Sequence, residues 1–106
     1  MNTVETLKAA KALISDPAKW TRGQIARDAE GRFVRARDPE AVCWCSYGAI
    51  DRVCGKDAIA WAGATVELMN AMRGGIAMFN DNNDHAAVMA AFDRAIEQAE
   101  ADANGA

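Results

Sequence analysis

Apolar residues recur along this chain mainly at three- and four-residue spacings, the period of helices that bury one side. In residues 3–15, Val4, Leu7, Lys11 and Ile14 share one side at about 100° per residue, with Lys11 snorkelling at its edge. Thr3 is the expected N-cap of this helix, with Thr6 three residues on, and Pro17 ends it. Asp38-Pro39-Glu40 predicts the start of a second helix: a capping carboxylate, a proline at the first position and an acid in the first turn. That helix is expected to run to about Cys54, with Gly55 as its C-cap.

Asp57 is expected to cap a third helix reaching about Met72. Ile59, Ala62, Val66 and Met69 form one apolar face of it, and Trp61, Leu68 and Met72 another. Only a strip near Gly63, Glu67 and Asn70 stays polar, which predicts the central, most buried helix. Ile76 to Phe79 is expected as an apolar connector, and residues 80–84 offer competing caps for a last helix. That helix carries Val88, Met89, Phe92, Ile96 and Ala99 on one stripe and is expected to fray from about Asp102.

One stretch breaks the helical period. Residues 24–36 read as a small hairpin turning near Gly31, with Ile25, Phe33 and Val34 as its apolar content. So little apolar surface makes no core, and the hairpin is expected to lie against the helices. The expected fold is mainly α: about four helices with a small β-hairpin inserted after the first, in a single domain over residues 1–106.

The net charge of −3 argues against a dedicated nucleic-acid or anionic-membrane binder. The N-terminus lacks a signal-peptide pattern, and apolar runs such as Ala58 to Ala64 are far too short for a membrane span. Three cysteines without framework spacing predict free thiols in a reducing cytoplasm.

Cys45 and His85, with Asn80, Asp81 or Asp84 to orient the ring, make up the inventory of a thiol hydrolase or transferase. A helix starting at Asp38 would set Cys45 about two turns in, where the dipole no longer activates a thiol. On such a helix Cys43 and Cys45 face ~200° apart, and Cys43 and Cys54 lie about 16 Å apart along one face. Zinc, which holds sulfur near ~2.3 Å, is therefore not expected. Asp81, Asn83 and Asp84 lack the glycine and closing glutamate of a calcium loop, so neither a metal nor another cofactor is expected. Lys19, Arg22, Arg27, Arg32, Arg35 and Arg37 gather around Phe33, a basic patch interrupted by Asp28, Glu30, Asp38 and Glu40. Trp44 and Tyr47, together with Trp20, are aromatics of the kind that anchor interfaces.

Several segments in order carry a resemblance: Trp20-x-x-Gly23, Ala41-Val42-x-Trp44-Cys45-x-x-Gly48-Ala49, Phe79-Asn80-Asp81 and Phe92-Asp93-Arg94-Ala95-Ile96. Together they resemble a small domain-of-unknown-function family of bacterial and phage genomes, over nearly the whole chain. The resemblance implies no activity, cofactor or substrate. It implies that the cysteine belongs to a Trp-Cys-x-x-Gly-Ala segment and that a histidine at position 85 is not required. Gly48 and Ala49 then read as small residues that admit another backbone, seating Trp20 or the Phe79-Asn80-Asp81 connector.

The expectation that follows is a cytoplasmic, non-enzymatic module acting through a protein partner or as a homo-oligomer, with Trp20, Trp44, Tyr47, Phe33 and Arg35 as contact residues. A thiol enzyme using Cys45, His85 and Asn80 is the alternative. A nucleic-acid-contacting accessory protein, working through the basic hairpin, is the third reading.

Overall fold

The first helix, α1, covers Thr3–Leu13 and is capped one residue earlier than Thr3 suggests. Asn2 Oδ1 accepts from Glu5 N–H at 2.8 Å while Asn2 N–H donates to Glu5 Oε1 at 3.0 Å. This reciprocal pair satisfies two donors at once, which a threonine with Thr6 three residues on does not. The computed structural model describes residues 1–105. A 3-10 turn, Pro17–Lys19, follows with Asp16 as its cap.

Three two-residue strands come next: β1 (Ala26–Arg27), β2 (Phe33–Val34) and β3 (Cys43–Trp44), paired antiparallel in the order β2-β1-β3. The expected hairpin is therefore present, but a third strand joins it. Ala26 faces Val34 on one side and Trp44 on the other. The tip is held by Asp28, whose carboxylate accepts from the backbone of Glu30 and Arg32 and meets the Arg32 guanidinium at 3.0 Å. Gly31 supplies the positive φ of 80° that the turn needs.

Helix α2 covers Ser46–Cys54, starting well beyond the point that Asp38 predicts. Asp38 Oδ1 accepts from Glu40 N–H at 2.8 Å, so its cap-like chemistry closes a turn instead. The backbone after it pairs with β1: Val42 N–H donates to Arg27 and Cys45 N–H to Ile25. Helix α3 covers Ala58–Met72, capped by Asp57 and preceded by Gly55 at φ 57°, as expected. The expected apolar connector is a helix, α4 (Ile76–Asn82), too short for a periodic signal. The last helix, α5, spans His85–Gly105, continuing past the Asp102 where fraying was expected.

The architecture is mainly helical, with five α-helices among the described residues and the small sheet to one side. Leu7, Ile14, Ile50, Leu68, Val88 and Phe92 are fully buried where α1, α2, α3 and α5 meet. Gly63 lets α1 approach α3 closely: a Cβ there would lie 2.3 Å from Thr3 Oγ1. No helix of the described chain is long and apolar enough to cross a membrane.

Candidate functional site

The sequence features singled out above converge at the start of α2. Cys45 is its N-cap, not a residue two turns inside a helix. Its Sγ accepts from Gly48 N–H at 3.3 Å, standing in for the usual hydroxyl or carboxylate. A helix N-terminus favours a thiolate. Burial works the other way and dominates: Cys45 is 5% exposed, and desolvation raises its thiol above the ordinary value of 9.0. The nearby Asp81 carboxylate pushes in the same direction. Gly48 is required by its surroundings, since a Cβ there would sit 2.1 Å from the Ile25 carbonyl oxygen. The backbone seated against Gly48 is therefore that of Ile25, in place of the expected Trp20 or Phe79-Asn80-Asp81 segment.

Asn80, on α4, is completely buried and ties three segments together. Its Oδ1 accepts from Trp20 Nε1–H at 2.7 Å, from Ser46 N–H at 3.0 Å and from Ser46 Oγ at 2.7 Å. Its Nδ2 donates to the Thr21 carbonyl at 3.0 Å and to Asp81 Oδ1 at 3.3 Å. Asp81 in turn accepts from Gly23 N–H at 2.9 Å. Asn80 thus satisfies an otherwise unpaired N–H in the first turn of α2 and fixes the strand entering the sheet. All of its polar capacity is used by protein groups.

His85 opens α5 and is engaged by Ile14 and Trp20. Its Nε2 lies 2.7 Å from the Ile14 carbonyl, which only accepts, so that nitrogen carries a proton and is not a base. Its ring meets Trp20 edge to face at 5.5 Å. Cys45 lines an open groove of about 420 Å³ with Ile25, Phe33, Tyr47, Ala77 and Asp81, and His85 is not among its walls. The structure brings Cys45 beside Asp81 and Asn80 beside Ser46; it does not hydrogen-bond Cys45 to His85.

These contacts join residues from Trp20 to Asp81, and the features that make them lie in one stretch of sequence similarity. A family model described as a family of unknown function, DUF6197, matches residues 1–98. The chain belongs to that family. No curated protein and no solved structure matches it.

The aromatics of this family member divide by burial. Trp44 is 5% exposed, donates Nε1–H to the Ala36 carbonyl at 2.9 Å and lies under the Arg52 guanidinium, 5.3 Å from its ring centre. It is interior and corrects the expectation of a contact residue. A helix starting at Asp38 would carry it on α2, whereas it belongs to β3. Trp20 is half-buried in the Asn80 network. Tyr47 stacks edge-on with Trp61 at 5.8 Å, and Phe33 and Arg35 are exposed.

The basic hairpin is largely engaged within the chain. Arg22 donates to the Asn83 carbonyl, Arg27 to Thr21, Arg22 and Gly31, Arg32 to Asp28 and Glu30, and Arg37 approaches Asp51. The one-helix geometry used to set aside zinc does not apply, because Cys43 is on β3, Cys45 is a cap and Cys54 ends α2. Among the described residues no three His, Cys, Asp or Glu side chains are grouped as metal ligands.

The largest departure from the sequence pattern is on α3. Of the face expected to hold Trp61, Leu68 and Met72, the last two are buried together with Ala60, Ala64 and Thr65, while Trp61 is half-buried. The outer face of α3 is not buried: Ile59 is 87% exposed, Val66 55% and Met69 45%. Met78 on α4, 71% exposed, extends this surface across a groove of about 440 Å³ floored by Tyr47, Trp61 and Ile76. Sequence periodicity shows α3 to be apolar on nearly all sides but not which sides this chain covers.

Proposed function

We propose that this family member is a non-catalytic helical module that works through protein contact, in the cytoplasm where its three thiols stay reduced. The observation that carries the reading is the uncovered apolar surface of α3 and α4, with Ile59, Val66, Met69 and Met78 facing water. Scattered exposed apolar side chains need no explanation, but a contiguous set beside a groove marks an interaction surface. Tyr47 and Trp61 at the floor of that groove supply the aromatic anchors such surfaces use.

The same geometry weakens the thiol-enzyme reading. The Cys45 thiol is buried and held neutral, and His85 offers its Nε2 to a backbone carbonyl. Engagement of four of the basic hairpin residues by intramolecular partners likewise weakens nucleic-acid contact.

Photocrosslinking in the producing cells tests the reading. A photoreactive residue at position 66 should form adducts with protein, whereas one at Glu97, exposed on α5, should not. Equal, background-level adducts at both positions would overturn it.

A further inference from the structure

Residues 59, 62, 66 and 69 are spaced three, four and three apart, the a and d positions of two successive heptads. All four point outward from α3, while the heptad-like seam on the opposite side is already buried in the core. A helix apolar on nearly all sides is expected to be covered on nearly all sides. We propose that the outer seam of α3 is a homodimer interface, in which α3 packs antiparallel against α3 of a second copy. The proposal rests on the protein-contact reading above and names the partner.

Three features favour a second copy over an unrelated helix. The spacing reads the same from either end, so a two-fold places Ile59 against Met69 of the partner subunit and Ala62 against Val66 of the partner subunit. That is the self-complementarity an isologous interface demands. Ala62 at the narrow point admits a close approach of the two helices, at about 8 Å between axes. The positions flanking the seam, Gly63, Thr65 and Asn70, are uncharged, so they carry no charge pattern that would select a different partner or repel an identical one.

The ends of the seam agree in charge. Arg73 follows α3 in the left-handed region at φ 60°, the one non-glycine positive φ among the described residues. A glycine would fit that backbone without strain, yet the chain keeps a guanidinium there. Antiparallel pairing brings Arg73 to the helix start of the other copy, where the Asp57 carboxylate, 45% exposed and 3.6 Å from the N-terminal ammonium of its own chain, would gain a second cation. Lys56, the neighbouring cation, lines a different groove with Arg37 and Asp51. A seam of four side chains with Met78 is a small patch for an interface, since stable ones bury about 1,200–2,000 Å² in total. The dimer is therefore expected to dissociate on dilution.

Sedimentation equilibrium of the purified full chain over a wide concentration range tests this. Wild type should pass from monomer to dimer, and Val66→Glu should weaken association by on the order of 100-fold or more, because each copy would bury an unpaired carboxylate. Unchanged far-UV circular dichroism would establish that the variant is folded. Mixing Ala62→Cys chains with Val66→Cys chains should give the mixed disulfide in preference to either homodisulfide, as antiparallel register requires. A wild type that stays monomeric at the highest concentration would overturn the dimer, as would a Val66→Glu chain that associates like wild type. Crosslinks from position 66 to some other protein in cells, with a monomeric pure chain, would sink the dimer and leave the protein-contact reading standing.

Discussion

Two regions of this protein invert the usual distribution of polar and apolar groups, and they do so in opposite senses. Around Asn80 a polar side chain is fully buried; along α3 large apolar side chains are left in water. The first inversion is complete in itself, because every polar atom of Asn80 has a partner from the same chain. The second is open, since nothing in the described chain covers Ile59 or Val66. A satisfied buried amide explains a fold; an uncovered apolar face asks for a partner.

The contrast can be broken most severely at Asn80. Asn80→Ala leaves Trp20 Nε1–H, Ser46 N–H and the Thr21 carbonyl without partners, at about 1–3 kcal/mol each if water does not replace the amide. A loss of ~3 kcal/mol or more in urea unfolding is expected; less than ~1 kcal/mol would show that the network contributes little. Gly48→Ala forces its new methyl against the Ile25 backbone and should cost about 1–3 kcal/mol, measured in the same way. A Gly48→Ala chain as stable as wild type would mean that the β1 entry yields freely.

Ionisable groups in the buried region contribute at a smaller scale. Cys45 is held as a neutral thiol in the fold, so its folded pKa lies above its unfolded one. The stability this confers is present below the ordinary thiol value of 9.0 and falls as pH rises beyond it, where the unfolded chain ionises first. Iodoacetamide should accordingly modify Cys45 more slowly in the native protein than in urea at about pH 8, where only the unfolded thiol is exposed and free to ionise; equal rates would contradict the buried-thiol picture. Asp28 has the opposite sign: bonds from the Arg32 backbone N–H and guanidinium lower its pKa from 3.8. Its contribution is complete above that value and is lost as pH falls below it, which an acid titration of Asp28→Asn beside wild type should reveal as a smaller acid-induced loss.

The smallest stability effect belongs to the other region. Val66→Glu should change the stability of the isolated monomer by no more than about 0.5 kcal/mol, because its surroundings there are already water. A larger loss at concentrations where wild type is monomeric would mean that the outer face of α3 is part of the fold.

Some helix boundaries with strong local chemistry were legible in the sequence, though the Asn2–Glu5 cap was passed over for Thr3, and those decided by distant partners were not. Asp57 and Gly55 acted as read because a carboxylate cap and a glycine at positive φ work within one turn of backbone. Asp38-Pro39-Glu40 carried an equally strong local signal and failed, since pairing of residues 42–45 with β1 outweighed it. No local rule points to a thiol as the cap that replaces it. The fold class and the hairpin were accessible from period and turn residues, but β3 was hidden in a segment whose apolar spacing also fits a helix. Of the candidate site, the small residue at Gly48 and the bonding role of Asn80 were readable as types. Their partners, Ile25 and Ser46, were set by tertiary approach. The exposure of α3 was beyond reach for a simple reason: periodicity records which faces are apolar, not what covers them.

The ties between residues 20–23 and 80–83 also govern the order in which this protein can assemble. Trp20 to Asn80, Gly23 to Asp81 and Arg22 to Asn83 span 60, 58 and 61 residues. During synthesis the sheet emerges early, yet its entry strand stays unsecured until α4 has left the ribosome, with more than half the chain already made. Closing such loops slows folding without preventing it. A nascent chain whose residue 80 has not yet emerged should therefore present a protease-sensitive segment around Trp20, which becomes resistant only once Asn80 has left the ribosome.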